Sequence, residues 1–285
     1  MANGLGSLRD AGYEVMEIDI GSDPVGELLK TPIDVAFVAL HGRFGEDGTI
    51  QGLLESLRIP YTGSGVLASA VAMDKSVCKQ LAHELEIPVA NGQLYYATTE
   101  PIGHFVERLA LGCPLVVKPV REGSTVGMTI VRKEEELPGA LQLAASSDPK
   151  IVVEEFVAGT EVTVGMVAGR LLPTIEIVPK GGFYDYTAKY TKGMTEYICP
   201  ARIAPATDQL LGEWTSRLWQ TLECRGFARA DYIVRPDGSA VFLELNTIPG
   251  MTATSLIPKA AAQAGIGFGS LCELILEDAR VEISA

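Results

Sequence analysis

Residues 229–246, RADYIVRPDGSAVFLELN, contain two stretches in which apolar and polar residues alternate, separated by RPDG. A period of two is typical of β-strands with chemically different faces, and Pro and Gly favour a turn between such strands. The segment therefore predicts a β-hairpin. Any fold of this chain has to bury one face of the hairpin and accommodate the polar residues of the other.

The pairing within this hairpin decides which side chains lie together. With 236–237 as a two-residue connection, Arg229 is predicted to pair with Glu244 and Asp231 with Phe242. Because successive side chains point to opposite faces, these pairs define a polar and an apolar face. The polar face consists of Arg229, Asp231, Glu244 and Asn246. The apolar face consists of Ala230, Tyr232, Val234, Val241, Leu243 and Leu245.

The polar face offers two carboxylates and a carboxamide, and magnesium prefers such oxygen ligands. Because magnesium commonly bridges protein carboxylates to substrate phosphates, Asp231, Glu244 and Asn246 are candidate metal ligands. The alternative is an ordinary hairpin with one solvated polar face. Zinc is not indicated, since the sequence has no CxxC motif or His/Cys cluster.

A second stretch, VVKPVREGSTVGMT (116–129), indicates an anion site. Lys118 ends an apolar run and precedes a loop of small residues, which let backbone N–H groups approach phosphate oxygens. The loop lacks the GK[ST] ending of a P-loop, and a simple turn fits it equally well. Lys75, which follows the candidate helix N-cap Asp74, is a second candidate cation, or a solvated lysine.

The order of predicted elements indicates an α/β (α+β) chain. Strands are predicted at 13–20 and 33–40, and apolar spacing predicts a helix at 49–57. His41 follows the second of these strands, where open α/β sheets place ligands, and is a candidate catalytic base or hydrogen-bond donor. The alternative is an ordinary loop histidine. We expect three subdomains, at 1–64, 65–158 and 159–285.

Composition restricts the partners of the chain. A net charge of -13 argues against nucleic acid but does not exclude a nucleotide, which needs only a few local cations. No apolar run approaches the ~20 residues of a membrane helix. The five cysteines are scattered, which is typical of reduced thiols in a cytoplasmic protein.

Six segments together resemble the D-alanine–D-alanine ligase family of the ATP-grasp superfamily. They are HGRFGEDG, YTGSG, MDK, KPVREGSTVGM, FYDYTAKY and ELNTIPGMTATSLIP, in the order of the family. The resemblance runs from about Leu8 to the C-terminus and implies the ATP-grasp fold, with ATP between two antiparallel sheets. It also implies that ATP phosphorylates the carboxylate of one D-alanine and that the amine of a second displaces phosphate, giving D-alanyl-D-alanine for peptidoglycan precursors.

The resemblance also implies roles for individual residues. Asp231, Glu244 and Asn246 would hold two magnesium ions, for which manganese can substitute, and Arg229 and the Gly250 N–H would stabilise the oxyanion. The implied nucleotide-binding residues are Lys75, Lys118, Glu154, Glu155, Val157, Glu161, Tyr184 and Lys189. The implied substrate residues are His41, Ser255 and Leu256. Tyr190 and Ser124 are implied catalytic residues, since Tyr190 would close over the site and hydrogen-bond Ser124. Glu155 stands where many relatives have lysine. Tyr190 indicates an amino acid as second substrate.

The opening MANGLGSLRDAGYEV departs from the family pattern, because it matches only the tail of a helix that normally follows a first strand and an E-R-E-V-S-like motif. We therefore expect the first subdomain to lack one strand. Three hypotheses follow: the dipeptide ligase, a shortened nucleotide-binding protein with little ligase activity, and another ATP-grasp carboxylate–amine ligase. For the ligase we expect a cytoplasmic homodimer whose partners are ATP and D-alanine, without nucleic acid or membrane.

Overall fold

The computed structural model describes residues 2–123, 125–180 and 194–282. Its strands form two antiparallel sheets, as the ATP-grasp expectation requires. The first sheet has the order β1-β4-β2-β3 and consists of β1 (Gly92–Tyr96), β2 (Leu115–Pro119), β3 (Thr129–Val131) and β4 (Lys150–Glu155). The second has the order β10-β9-β5-β7-β8, with β6 paired to β5. Its strands are β5 (Thr160–Val167), β6 (Arg170–Leu171), β7 (Ile175–Pro179), β8 (Thr195–Ile198), β9 (Phe227–Val234) and β10 (Ala240–Asn246).

Helices cover these sheets and surround three cores. The helices are α1 (Ala2–Asp10), α2 (Pro24–Lys30), α3 (Thr49–Leu57), α4 (Val66–Met73), α5 (Lys75–Glu84), α6 (Ile102–Arg108), α7 (Leu137–Ala145), α8 (Pro205–Thr221), α9 (Leu256–Gln263) and α10 (Phe268–Glu277), with a 3-10 helix at Glu134–Glu136. One core lies between the first sheet and α6 and α7. A second lies between the second sheet and α4, α5 and α8. The third joins α3, α9 and α10 to the other side of the second sheet.

The turn of the predicted hairpin is longer than expected. Val234 pairs with Ala240, so residues 235–239 form the connection between β9 and β10. Within it, the N–H of Gly238 donates to the carbonyl of Arg235 at 2.9 Å. The prediction of a two-residue connection is therefore wrong. Residues 235–238 (RPDG) form a turn, and Ser239 follows before Ala240 resumes the pairing.

A β-bulge at Leu243 restores the polar face. Phe242 pairs with Tyr232, whereas Glu244 pairs with Asp231, so one residue of β10 is left without a partner between these pairs. Without the extra residue, a register shifted by one would direct the two carboxylates to opposite faces. Because of the bulge, the paired carboxylates both line one cleft, although the predicted pairing partners are wrong.

The bulge also changes the predicted apolar face. Leu243 lines the cleft, and Val241 packs in a small cluster with Ala90 and Val157. Phe242 and Ala240 lie in the core beneath the sheet instead. Placing Val241 and Leu243 on the core face was therefore wrong, because the two-residue connection assumed the wrong register for the first half of β10.

The two predicted N-terminal strands are also wrong. Residues 13–20 form no strand, and residues 33–40 contribute only an isolated bridge, between Ala36 and Tyr61. A strand requires hydrogen bonds to a neighbouring segment, which a favourable alternation of residues does not supply. Tyr13 and Met16 are accordingly exposed instead of lying in a sheet. The helix predicted at 49–57 forms as α3.

The N-cap predicted at Asp74 is present and supports a testable effect on stability. Asp74 Oδ1 accepts hydrogen bonds from the N–H groups of Ser76 and Val77, both at 3.1 Å, and the carboxylate also pairs with Lys150. An N-cap is worth about 1 kcal/mol. We expect Asp74→Ala to lower the free energy of unfolding by about that amount relative to Asp74→Asn, which keeps a cap, as measured by urea denaturation.

The ion pair adds a pH dependence to this prediction. Burial acts to raise the pKa of Asp74, but hydrogen bonds from Lys150 and Ser76 outweigh it and lower the pKa below its ordinary value. The stabilisation is therefore present above the unfolded pKa and lost as the pH falls through the folded pKa. The stability difference between wild type and Asp74→Asn should shrink in acid. A difference that stays constant down to pH 2 would contradict this account.

Candidate functional site

A cleft lies between the two sheets and collects charged residues from both. Strands β2 and β4 and the loop after β2 form one side, and β9 and β10 form the other. The charged residues that line it are Lys75, Lys118, Glu122, Glu154, Glu155, Glu161, Arg229, Asp231 and Glu244. Apolar side chains between them, including Val116, Ile177 and Leu243, form a surface against which a flat apolar ring could pack. The cleft can therefore accept a ligand with both an apolar and an anionic part.

On the side of the cleft formed by β9 and β10, Arg229 and Asp231 of β9 form an ion pair. Arg229 and Asp231 are two residues apart, so their side chains lie on one face, and the guanidinium makes two hydrogen bonds of 2.9 Å to the carboxylate. Thr163 of β5, which pairs with Asp231, donates its hydroxyl to the same carboxylate at 2.6 Å. Both charged groups are buried, and such fork-like pairs have a well-defined geometry. The geometry holds Arg229 rigidly at the cleft.

Lys75 connects this side of the cleft to the opposite side. Its Nζ lies 3.1 Å from Oε2 of Glu244 on β10 and donates to the carbonyl of Glu122 at 2.6 Å. Glu122 belongs to the glycine-bearing loop after β2. The Lys75 ammonium therefore lies between the second sheet and the candidate phosphate loop, where it would meet an anion bound in the cleft.

On the side of the cleft formed by β2 and β4, two lysines form a buried cluster with Glu154. Lys118 of β2 places Nζ 2.9 Å from Oε2 of Glu154, and Lys79 of α5 donates to Oε1. Burial acts to raise the pKa of Glu154, but the two lysines outweigh it and lower the pKa well below its ordinary value. The carboxylate therefore stays ionised, and the cluster contributes positive charge beside the cleft.

The segment that links the sheets also lines the cleft. Val157 belongs to it, Glu155 is the last residue of β4 before it, and Glu161 follows at the start of β5. The N–H of Glu155 donates to the carbonyl of Asn91 at 2.9 Å, and its carboxylate accepts from the Asn91 side chain at 3.2 Å. These bonds hold the end of β4, where the linker begins, against the residue that precedes β1.

Five other candidate residues lie around the cleft or away from it. The Asn246 Oδ1 accepts from the N–H of Ile248 at 3.0 Å, and Asn246 pairs with Arg229 at the end of the hairpin. Ser255 is the N-cap residue of α9, whose first residue, Leu256, lines the cleft. A Cβ on Gly250 would lie 3.0 Å from the Ser255 Oγ, so these two residues are neighbours. His41 is exposed and contacts Glu46 at 3.3 Å.

Four predicted site residues, Ser124, Tyr184, Lys189 and Tyr190, lie outside the described residues.

The oxygen donors of β9 and β10 fit a hard cation. Glu244 lies directly opposite Asp231, and Asn246 follows two residues later in the same strand. In residues 2–123, 125–180 and 194–282 no group of three or more His, Cys, Asp or Glu residues is arranged as a metal site. Two carboxylates and an amide suit magnesium, which keeps water or phosphate oxygens in its remaining positions.

Sequence reasoning missed Lys79, Thr163 and Glu122. Lys79 follows Lys75 by four residues, a spacing that places both on the same side of a helix. That spacing from Lys75 could have indicated Lys79 as a site residue. Thr163 contacts Asp231 only because β5 lies beside β9, and no local pattern reveals this neighbour.

The two antiparallel sheets, with a cleft between them that is lined by charged residues from both, define an ATP-grasp protein. Comparison with known proteins narrows the class. The family model described as D-ala D-ala ligase C-terminus matches residues 81–277, and the model described as D-ala D-ala ligase N-terminus matches residues 16–64. The chain belongs to the D-alanine–D-alanine ligase family.

Curated relatives and solved structures agree with this assignment. The chain is 49% identical to the D-alanine–D-alanine ligase of Syntrophotalea carbinolica, covering 96% of this chain and 88% of the relative. It is 44% identical to that of Geobacter sulfurreducens, covering 98% and 88%. The crystal structure of the Bacillus anthracis ligase complexed with ATP matches with a TM-score of 0.83 at 33% identity, over 97% of this chain and 89% of that one.

Proposed function

We propose that the chain is an ATP-dependent ligase that joins two molecules of D-alanine into D-alanyl-D-alanine. In this reaction the γ-phosphoryl group of ATP moves to the carboxylate of the first D-alanine, and ADP leaves. The amine of the second D-alanine attacks the acylphosphate, and phosphate leaves as the amide forms. The observation that carries the proposal is the meeting of Lys75 and Lys118 with Asp231 and Glu244 in one cleft of an ATP-grasp fold.

The charged residues would divide the work of phosphoryl transfer, which is mostly positioning and charge neutralisation. Lys75 and Lys118 would hold the α- and β-phosphates. Asp231, Glu244 and Asn246 would hold magnesium, which when bound supplies positive charge to the phosphate oxygens. Arg229, oriented by Asp231, would donate N–H groups to the oxygen that becomes negative when the carbonyl carbon is attacked.

The remaining predicted residues would bind the organic parts of the substrates. Glu154 and Glu155 at the end of β4, with Val157 in the linker, would contact the adenine, and Glu161 the ribose. Leu256 and Ser255 would lie near the second D-alanine, with the N–H of Gly250 as a further donor to the oxyanion. His41, Ser124, Tyr184, Lys189 and Tyr190 complete the proposed site by resemblance to the family.

The proposal extends to organisation and location. We infer subdomains at 1–64, 65–158 and 159–285, because each sheet falls inside one of the last two segments. We also infer a homodimer in the cytoplasm, from the family resemblance. Within the described part of the chain, no helix combines the length and apolar character needed to span a bilayer. Sedimentation analysis would test the dimer, and a monomer at micromolar concentration would contradict it.

The function is tested by phosphate release from ATP and magnesium, with and without D-alanine. We expect release that depends on D-alanine and a product with the mass of the dipeptide. No release above the blank that contains ATP alone would contradict the ligase. Release with a different amino acid, but not with D-alanine, would indicate another carboxylate–amine ligase. ATP binding without any dipeptide would indicate a nucleotide-binding protein.

A further inference from the structure

Lys79 is a buried lysine beside the cleft that the proposed mechanism does not use. Its side chain is 8% exposed and that of Glu154 is 4% exposed. The Lys79 Nζ donates to Oε1 of Glu154, while the Lys118 Nζ lies 2.9 Å from Oε2 of the same carboxylate. Lys118 and Glu154 line the cleft, and Lys79 reaches them from α5. One glutamate is therefore shared by two lysines, with one oxygen each.

Pairing Glu154 does not by itself explain why two lysines are buried beside it. Glu154 already has Lys118 as a partner, and burying a second ammonium group carries a desolvation penalty. Burial lowers the pKa of Lys79 to about 8, even though Glu154 acts to raise it. In contrast, the pKa of Lys118 is raised, because its attraction to Glu154 outweighs burial. Two ammonium groups and one carboxylate leave one positive charge in excess, and this excess lies beside the cleft.

Lys79 and Lys75 act from one helix on two sides of the cleft. Lys75 precedes Lys79 by one helical turn and contacts Glu244 and the carbonyl of Glu122. Lys79 contacts Glu154, which belongs to the first sheet. The two lysines of α5 thereby tie this helix to both walls of the cleft.

We propose that Lys79 is a positioning residue for ATP: it holds one oxygen of Glu154 and offsets its charge, so that the Lys118 ammonium remains available to a phosphate oxygen. The inference rests on the proposed function, because it takes the anion in the cleft to be the triphosphate of ATP. Lys79 itself touches no reacting atom.

The inference is tested by a double-mutant cycle that measures ATP binding by calorimetry in the presence of magnesium. We expect Lys79→Gln to weaken ATP binding about tenfold, which corresponds to roughly 1.4 kcal/mol, and to raise the KM for ATP more than it lowers kcat. In a Glu154→Gln background the same change should alter ATP binding by less than about twofold, since the charge that Lys79 offsets is gone.

Lys150→Gln is the matched control, because it removes the ion pair to Asp74 at the start of the same helix. We expect ATP binding to stay unchanged in this variant.

The pH dependence of ATP binding provides a readout that a purely structural lysine would not affect. The charged groups that face Lys79 are Glu154 of β4, Lys118 of β2 and Glu244 of β10. As the pH rises through about 8, Lys79 loses its proton, and the affinity of the wild type for ATP should fall. Lys79→Arg stays charged in this range, so its affinity for ATP should not show this fall.

These measurements can contradict either the role of Lys79 or the proposed function. Wild-type ATP binding in Lys79→Gln would overturn the inference, as would an equal loss in the presence and absence of the Glu154 carboxylate. If Lys79→Gln fails to fold, a Lys79→Arg variant that retains the wild-type pH dependence would overturn it. A wild-type chain that binds no ATP would instead contradict the proposed function, so the two failures are distinguishable.

Discussion

Replacing Glu244 by Gln is expected to lower kcat for dipeptide synthesis by at least about a hundredfold, the scale that follows the loss of a charge placed to stabilise a transition state. Glu244 lies opposite Asp231 on the wall of the cleft and contacts Lys75 at 3.1 Å. An amide of the same shape keeps the packing but removes the negative charge that would hold a divalent cation. The loss should therefore appear in kcat, measured at saturating ATP and D-alanine, and not in the stability of the fold.

A second acid-to-amide change in the same hairpin serves as control. Asp237 lies in the turn between β9 and β10 and is hydrogen-bonded to Ser239, away from the cleft. Asp237→Asn should keep kcat within about twofold of wild type, as expected for a surface site. Full activity of Glu244→Gln, with its fold intact by circular dichroism, would remove the carboxylate from the proposed role.

Replacing Arg229 by Lys is expected to reduce kcat by about a hundredfold, the effect of losing a fixed hydrogen-bond donor to an oxyanion. The guanidinium of Arg229 reaches Asp231 with two bonds of 2.9 Å, and both side chains are 8% exposed. A lysine keeps the charge but cannot form this fork, so the donor is no longer held in one orientation. Asp231 keeps the hydroxyl of Thr163 as a partner. Initial rates over a range of D-alanine concentrations would measure the loss.

The chain contains a matched fork outside the cleft. Arg202 makes two hydrogen bonds to Glu176 in the same sheet, at 2.9 and 2.7 Å, but its own side chain is 64% exposed. Arg202→Lys tests whether breaking an arginine–carboxylate fork is harmful wherever it occurs. We expect its kcat to stay close to that of wild type. Equal losses in Arg202→Lys and Arg229→Lys would show that the effect is structural and would contradict the role of Arg229 in the reaction.

The hairpin shows what local sequence patterns reveal and what they leave out. Alternation predicted both strands, and the composition of each strand predicted a face with two carboxylates. The five-residue connection and the bulge at Leu243 were missed, because one extra residue leaves the alternation within each strand almost unchanged. The two one-residue shifts add up to a shift of two, which keeps the carboxylates on one face although their predicted partners were wrong.

Contacts between distant segments explain the other differences. Thr163 supports Asp231 only because β5 is its neighbour in the sheet, and residues 13–20 alternate like a strand but pair with no other segment that the structure describes. Pairing between segments depends on the whole fold, and a local pattern carries no information about it. Lys79 differs from these, since its spacing from Lys75 is local and its partner, Glu154, was itself a candidate.

The central claim is that β9 and β10 present their carboxylates to a cleft where a divalent cation meets the phosphates of ATP. Anomalous scattering from crystals grown with ADP and manganese would test it most directly. We predict manganese peaks beside the carboxylates of Asp231 and Glu244, with the phosphates of ADP between them and Lys75 and Lys118. Manganese bound elsewhere, or a nucleotide outside the space between the two sheets, would contradict the claim.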